Sequence, residues 1–280
     1  MRTILVIASQ TIGGAKLLET IKAKVDAAGG DARVVLAVPQ TAPRHGNIIY
    51  ADAVFEAAQV RVDLARRFLR AAGINAVGDV GDDDPFTATM DAVREHHPDE
   101  IVLSTLPATS SGWLRRDLVE RIRDESGLPV EHVVVDLLNE GLPFKVTLVV
   151  ANRTAADDGL LDRLAELADE GETQRLFIAC VPLEDGHGRA AAMARSRKAQ
   201  VVDRITAAGH LAAGIVGDPD PYTAVMNALE FFRVDDIVIS TLPATRSGWL
   251  RADLIERVGS ASGKPVIHVE AAPARVAAGT

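Results

Sequence analysis

The sequence carries one cysteine in 280 residues, Cys180. A single thiol excludes an intrachain disulfide framework and points to a reducing compartment. Its setting in RLFIACVP reads as the end of a buried strand. Basic charge is also in deficit: 30 Lys and Arg stand against 39 Asp and Glu, for a net charge of −9. Nonspecific binding to nucleic acid or to an anionic membrane needs a basic field, so neither partner is expected. The Arg pairs at 66–67 and 115–116 sit among acids and read as solvated helix faces. No apolar run approaches the roughly 20 residues needed to span a bilayer. The opening ILVIAS follows one Arg and is too short for a signal segment, so it reads as a first strand, and a cytoplasmic location is expected.

Familiar catalytic signatures are missing as well. There is no GxxxxGK, no GxGxxG after a strand, no GxSxG, no CxxC and no HExxH. His96 and His97 are neighbours at a helix end and point about 100° apart, which suits solvent better than one metal. Asp82, Asp83 and Asp84 could suggest a cation, but the matching run later in the chain replaces Asp83 with Pro219, so a capped turn is the simpler account. No metal site is expected.

What is present is a duplication. STLPATSSGWLRRDL, from Ser104, returns as STLPATRSGWLRADL from Ser240, with two changes in fifteen positions. GDDDPFTATMDAV returns as GDPDPYTAVMNAL, GLPVEHVVVD as GKPVIHVEAA, and RTILVIASQT as KVTLVVANRT. A unit of about 140 residues is too long for a solenoid repeat and fits a duplicated domain. We expect domains at 1–140 and 141–280, joined by a short turn-rich link at 139–143.

Each copy alternates β-rich apolar runs with helical periods. In the first copy, strands are expected at 4–8, 34–38, 101–103 and 130–135, with a weaker one at 76–80. Helices are expected at 14–28, 51–72, 85–96 and 112–125. Asp84 before Pro85, and Asp220 before Pro221, supply an N-cap with proline at the first helical position. The pattern predicts two tandem doubly wound open α/β sheets, mainly parallel, with five strands each.

Ligands of such sheets bind beyond the carboxyl ends of the strands. That rule selects Ser9, Thr11, Val38, Gly81, Asp82, Ser104 and Thr105, and in the second copy Asn152, Arg153, Thr154, Val181, Gly217, Asp218, Ser240 and Thr241. Ser111 precedes Gly112 and a helical run, so its hydroxyl could cap that helix and its unpaired N–H groups could face an anion. Thr109 adds a further donor, and Thr245, Ser247 and Gly248 repeat the arrangement. Serine and threonine are equally the ordinary residues of a capped turn, with Trp113 and Trp249 pinning the helix to the sheet. His132 and His268, in the last strands, read as sheet or interface contacts. Arg115 and Arg251 could reach an anion or pair with acids along their helix.

The order of elements, the GDxDP turn opening a helix and the run IVLSTLP…LVERIRDESGLPVEHVVV together resemble the universal stress protein family, in a tandem form covering nearly the whole chain. The resemblance implies that fold and a stress-response or regulatory role without turnover. It also implies ATP or another adenine nucleotide as the ligand, held by a Gly-rich loop; no cofactor is fixed by the residues themselves. Here Ser104, Thr105 and Pro107 stand where the family's paired glycines lie. Arg116–Asp117 and Ala252–Asp253 replace its closing Gly-Ser, and Ser9 and Asn152 replace its Asp after the first strand. An acid at a phosphate cradle repels the ligand, and lost glycines close the backbone approach.

The leading expectation is a non-enzymatic regulatory protein whose halves form a pseudo-dimer within the chain. The last strands serve as candidate edges for pairing inside the chain or in a homodimer. The alternatives are a nucleotide-hydrolysing or transferring enzyme of a related α/β group, and a ligand-free scaffold.

Overall fold

A computed structural model describes residues 1–42, 51–107, 117–184, 189–243, 247–251 and 253–271. These residues group into two compact units, 1–42 with 51–143, and 144 onward. In the first unit the elements run β1 (Arg2–Ile7), α1 (Ala15–Ala27), β2 (Ala32–Pro39), α2 (Ala51–Ala71), β3 (Asn75–Gly81), α3 (Pro85–His96), β4 (Glu100–Thr105), α4 (Leu118–Ser126) and β5 (Val130–Val134). A short α5 (Leu137–Glu140) follows, so the expected turn-rich link opens with a helical turn, capped by the Asp136 carboxylate accepting from the Leu138 and Asn139 N–H groups.

The second unit repeats this as β6 (Lys145–Val150), α6 (Asp158–Asp169), β7 (Arg175–Pro182), α7 (Arg189–Ala207), β8 (Leu211–Gly217), α8 (Pro221–Phe231) and β9 (Asp236–Thr241). It closes with α9 (Gly248–Arg251), α10 (Leu254–Ser262) and β10 (Val266–Glu270).

Each unit holds one five-stranded sheet, in the orders β3-β2-β1-β4-β5 and β8-β7-β6-β9-β10, and every strand pair is parallel. The doubly wound fold read from the sequence is present in both halves. The strands form because their β-branched, apolar runs can be covered on both faces. Alternation divides β1 cleanly. Ile4, Val6 and Ala8 pack with Leu17, Ile21 and Val25 of α1 and with Ala58, Val62 and Leu69 of α2. Leu5 and Ile7 pack with Ala92 of α3 and with Leu118 and Ile122 of α4. The i, i+4, i+8 spacing of Leu17, Ile21 and Val25 gives α1 its buried stripe. In the second unit Leu160, Leu164 and Leu167 of α6 and Val201 and Ile205 of α7 cover the matching face.

The duplication extends to individual contacts. Asp84 and Asp220 each cap their helix through the N–H of Thr87 and Thr223. Arg121 lies over the Phe86 ring at 4.2 Å, and Arg257 over Tyr222 at 4.3 Å. The Thr3 and Val146 N–H groups each donate to an aspartate, Asp99 and Asp235, at 2.7 Å.

One expected element is corrected. A continuous helix over 112–125 does not form, because Asp117 lies in the left-handed region (φ 47°) and α4 begins only at Leu118. Asp253 does the same in the second unit (φ 50°), separating α9 from α10. A left-handed residue cannot continue a right-handed helix, and Asp is one of the few non-glycine residues that tolerates the conformation.

Candidate functional site

In both sheets the chain builds outward from the first strand on one side, then crosses to the fourth strand on the other. The loops leaving β1 and β4 therefore diverge, as do those leaving β6 and β9. This reversal of strand order opens a crevice at the carboxyl ends.

One hydrogen bond in each unit ties the loop after the first strand to the end of the fourth. The Thr11 hydroxyl donates to the Ser104 carbonyl (3.3 Å), and the Thr154 hydroxyl donates to the Ser240 carbonyl (3.2 Å). The strand-end residues expected at Ser9, Thr11, Ser104 and Thr105, and at Asn152, Thr154, Ser240 and Thr241, are thus brought to one end of each sheet. Serine and threonine in β4 and β9 then part company. Thr105 Oγ1 lies 2.9 Å from His132 Nε2 and Thr241 Oγ1 lies 2.8 Å from His268 Nε2, so both histidines make the sheet contact expected of them. The adjacent serines face the opposite side, since side chains alternate along a strand. Among the described residues, the buried hydroxyl oxygens of Ser104, Ser240 and Ser9 have no hydrogen-bond partner. A buried hydroxyl lacking a partner costs about 1–3 kcal/mol.

In the second unit this end of the sheet holds a cleft of about 410 Å³. Its walls include Asn152, Arg153, Thr154, Ser240, Thr241, Ser247, Gly248 and Trp249, with Pro182, Leu183, Glu184, Pro219 and Leu242 completing them. Asn152 is held firmly: its amide N–H donates to the Pro182 carbonyl at 2.9 Å, and Arg197 of α7 donates to its Oδ1. Glu184 Oε1 lies 2.8 Å from Arg153 Nε and 3.0 Å from Arg197 Nη1. The hydrogen bond from Arg153, aided by Arg197, holds the Glu184 carboxyl below its ordinary value against the opposing effect of burial.

Other expected positions have structural surroundings of their own. Val38 and Val181 are wholly buried. A methyl group on Gly81 would meet Ala88 Cβ at 2.7 Å, and one on Gly217 would meet Ala224 Cβ at 2.7 Å and Cys180 Sγ at 2.9 Å. Close approach of α3 and α8 to the sheet therefore explains both glycines. The carboxylates of Asp82 and Asp218 turn back to accept the N–H groups of Asp84 and Asp220. Thr109, Ser111, Gly112 and Thr245, with Trp113 and Arg115, lie outside the described residues.

Two solved structures that this chain resembles are universal stress proteins. One, a complex with cAMP, is 19% identical, covers 47% of this chain and 96% of its own, and superposes at a TM-score of 0.33. The other, from Archaeoglobus fulgidus DSM 4304, is 15% identical over 95% of this chain and 96% of its own, at a TM-score of 0.34. A functionally unknown protein from Pseudomonas aeruginosa PAO1 is 14% identical over 97% and 93% of the two chains, at 0.29. No family model and no curated protein matches the sequence. Among the described residues, no helix is long and apolar enough to cross a membrane, and no three His, Cys, Asp or Glu side chains are grouped to hold a metal ion.

Sequence reasoning missed Leu183, Glu184, Pro219, Leu242 and Arg197. Extending the strand-end rule two residues past Pro182 reaches Glu184. Arg197 has a subtler signal, because Arg61 holds the equivalent position in α2 of the first copy. Burial of the Arg61 guanidinium pushes its pKa down to about 10.

Proposed function

We propose that this chain is a non-enzymatic regulatory protein of universal stress type, whose second unit binds a nucleotide or comparable small anion at the ends of β6 and β9. The observation that carries this reading is a cleft at the strand-order reversal with Ser240 in its wall, a residue 1% exposed whose buried hydroxyl has no partner among the described residues. A fold keeps such a group at a cost, and a ligand oxygen or nitrogen would satisfy it. The volume falls within the roughly 300–1,000 Å³ of small-molecule sites. Asn152, Thr154, Thr241 and Ser247 give the cleft wall an uncharged polar character suited to a base or sugar, and Trp249 adjoins them. The absence of turnover is part of the proposal: the titratable side chains of the cleft wall, Arg153 and Glu184, are engaged with one another.

Thermal unfolding of the full chain with ATP, ADP, AMP and cyclic AMP tests it. A nucleotide at 100 times its Kd should stabilise the binding unit by about 2.7 kcal/mol, seen as a rise in melting temperature. Unchanged melting with all four at millimolar concentration, and no small molecule retained through native purification, would leave the scaffold reading in its place.

A further inference from the structure

At the wall of the second unit's cleft, two guanidinium groups converge on a single carboxylate oxygen. Arg153 comes from the loop after β6 and Arg197 from α7, and both reach Glu184 Oε1, at 2.8 and 3.0 Å. Among the described residues, two cations thus meet one anion at the cleft that Ser240 also lines. We infer that Arg153 and Arg197 form a subsite for a dianionic phosphate group, for which the protein's own Glu184 carboxylate competes. This rests on reading the cleft as a ligand site and adds the chemistry of its selective end.

The physical case is one of competition. Guanidinium forks bind phosphate and carboxylate with the same charge-assisted geometry, and a dianion with three acceptor oxygens can satisfy both arginines where one carboxylate oxygen now serves them. Glu184 therefore raises the concentration at which the subsite fills and excludes weakly charged ligands. Asn152 Oδ1 accepts from the same Arg197 Nη1 that meets Glu184, and keeps that guanidinium in place while the carboxylate moves.

The first unit lacks the device. Gln10 stands at the place of Arg153 and Thr41 at that of Glu184, while Arg61 matches Arg197. The two halves have kept one scaffold and different charges, so the subsite is expected once per chain.

The test is calorimetric titration of inorganic phosphate, in low salt, into the full-length wild type, Glu184→Gln and Glu184→Gln/Arg153→Ala. Removing the competing carboxylate should tighten phosphate binding about tenfold, with one site per chain, and loss of Arg153 should abolish the gain. Glu184→Thr, which copies the first unit's residue, gives the same readout should the glutamine variant fold poorly. Unchanged or weaker phosphate binding in Glu184→Gln and Glu184→Thr overturns the subsite. If wild type still binds AMP in that case, the cleft remains a ligand site with its anion held elsewhere. If no variant binds phosphate or AMP, both readings fall together.

Discussion

The Thr154 hydroxyl donates to the main-chain carbonyl of Ser240 across 3.2 Å, within the sheet end that forms the cleft floor. It ties the loop after β6 to the end of β9, the two elements that diverge at the strand-order reversal. Thr11 and Ser104 make the same bond in the first unit. Thr154→Val keeps the shape and removes the donor, and should cost about 1 kcal/mol in urea unfolding. Because the loop positions Asn152 and Arg153, ligand-induced stabilisation should fall in the same variant. A variant with lowered stability and an undiminished ligand response would show that this bond does not organise the cleft.

The Ser240 hydroxyl sets stability against binding. Its buried oxygen has no partner among the described residues, so Ser240→Ala removes a polar atom that is costly to desolvate. The empty protein should unfold at the same or a higher urea concentration, by up to about 1–3 kcal/mol. The nucleotide-dependent shift in melting temperature should shrink. Ser104→Ala provides the matched comparison in the first unit. Loss of stability in Ser240→Ala without any effect on ligand response would mark the hydroxyl as a packing group.

Much of this architecture was legible in the sequence, for identifiable reasons. Strands of the first sheet are apolar on both faces, so β1, β2 and β4 stood out as continuous runs. The Asp-Pro caps at 84–85 and 220–221 placed the starts of α3 and α8 to the residue. Asp117 and Asp253 were not legible as breaks, because a left-handed residue leaves no mark on the apolar periodicity around it. Gly81 and Gly217 were picked for their place at strand ends, and the space beside each is taken by Ala88 and Ala224. The strand-end rule found Asn152, Thr154, Ser240 and Thr241, which do line the cleft. It could not find Arg197, whose place beside Asn152 depends on how α7 packs over the sheet and is set 45 residues away in the chain.

His132 should make the first unit sensitive to mild acid. Burial, with the positive charge of Lys16, lowers its pKa below the ordinary 6.5, while Thr105 Oγ1 holds its Nε2. As pH falls below about 6.5, the unfolded chain takes a proton that the folded chain resists. Stability therefore declines through that window and levels once pH is below the folded pKa, where both forms are protonated. The wild type should lose more stability between pH 7 and pH 5 than His132→Gln, measured by urea unfolding at each pH. A His132 imidazole resonance titrating at or above 6.5 would refute this.

At the opposite end of the second sheet, Arg175 and Asp236 form an ion pair at 2.5 Å, with side chains 3% and 14% exposed. Arg175 also donates to the Thr147 hydroxyl at 2.6 Å and to the Leu167 carbonyl at 2.9 Å, and Thr147 donates in turn to Asp236 at 2.6 Å. In the first unit Glu100 takes the place of Asp236 but draws its cations, Arg2 and Lys24, from other positions. Arg175→Met would strand the Asp236 carboxylate in a largely dry site, and should cost about 3–5 kcal/mol. Adding Asp236→Leu removes the stranded charge, and should recover a large part of that loss. Urea unfolding of the wild type, both single variants and the double variant closes the cycle. A double variant no more stable than Arg175→Met would show that the arginine acts mainly through the Leu167 carbonyl, as a tie between α6 and the sheet.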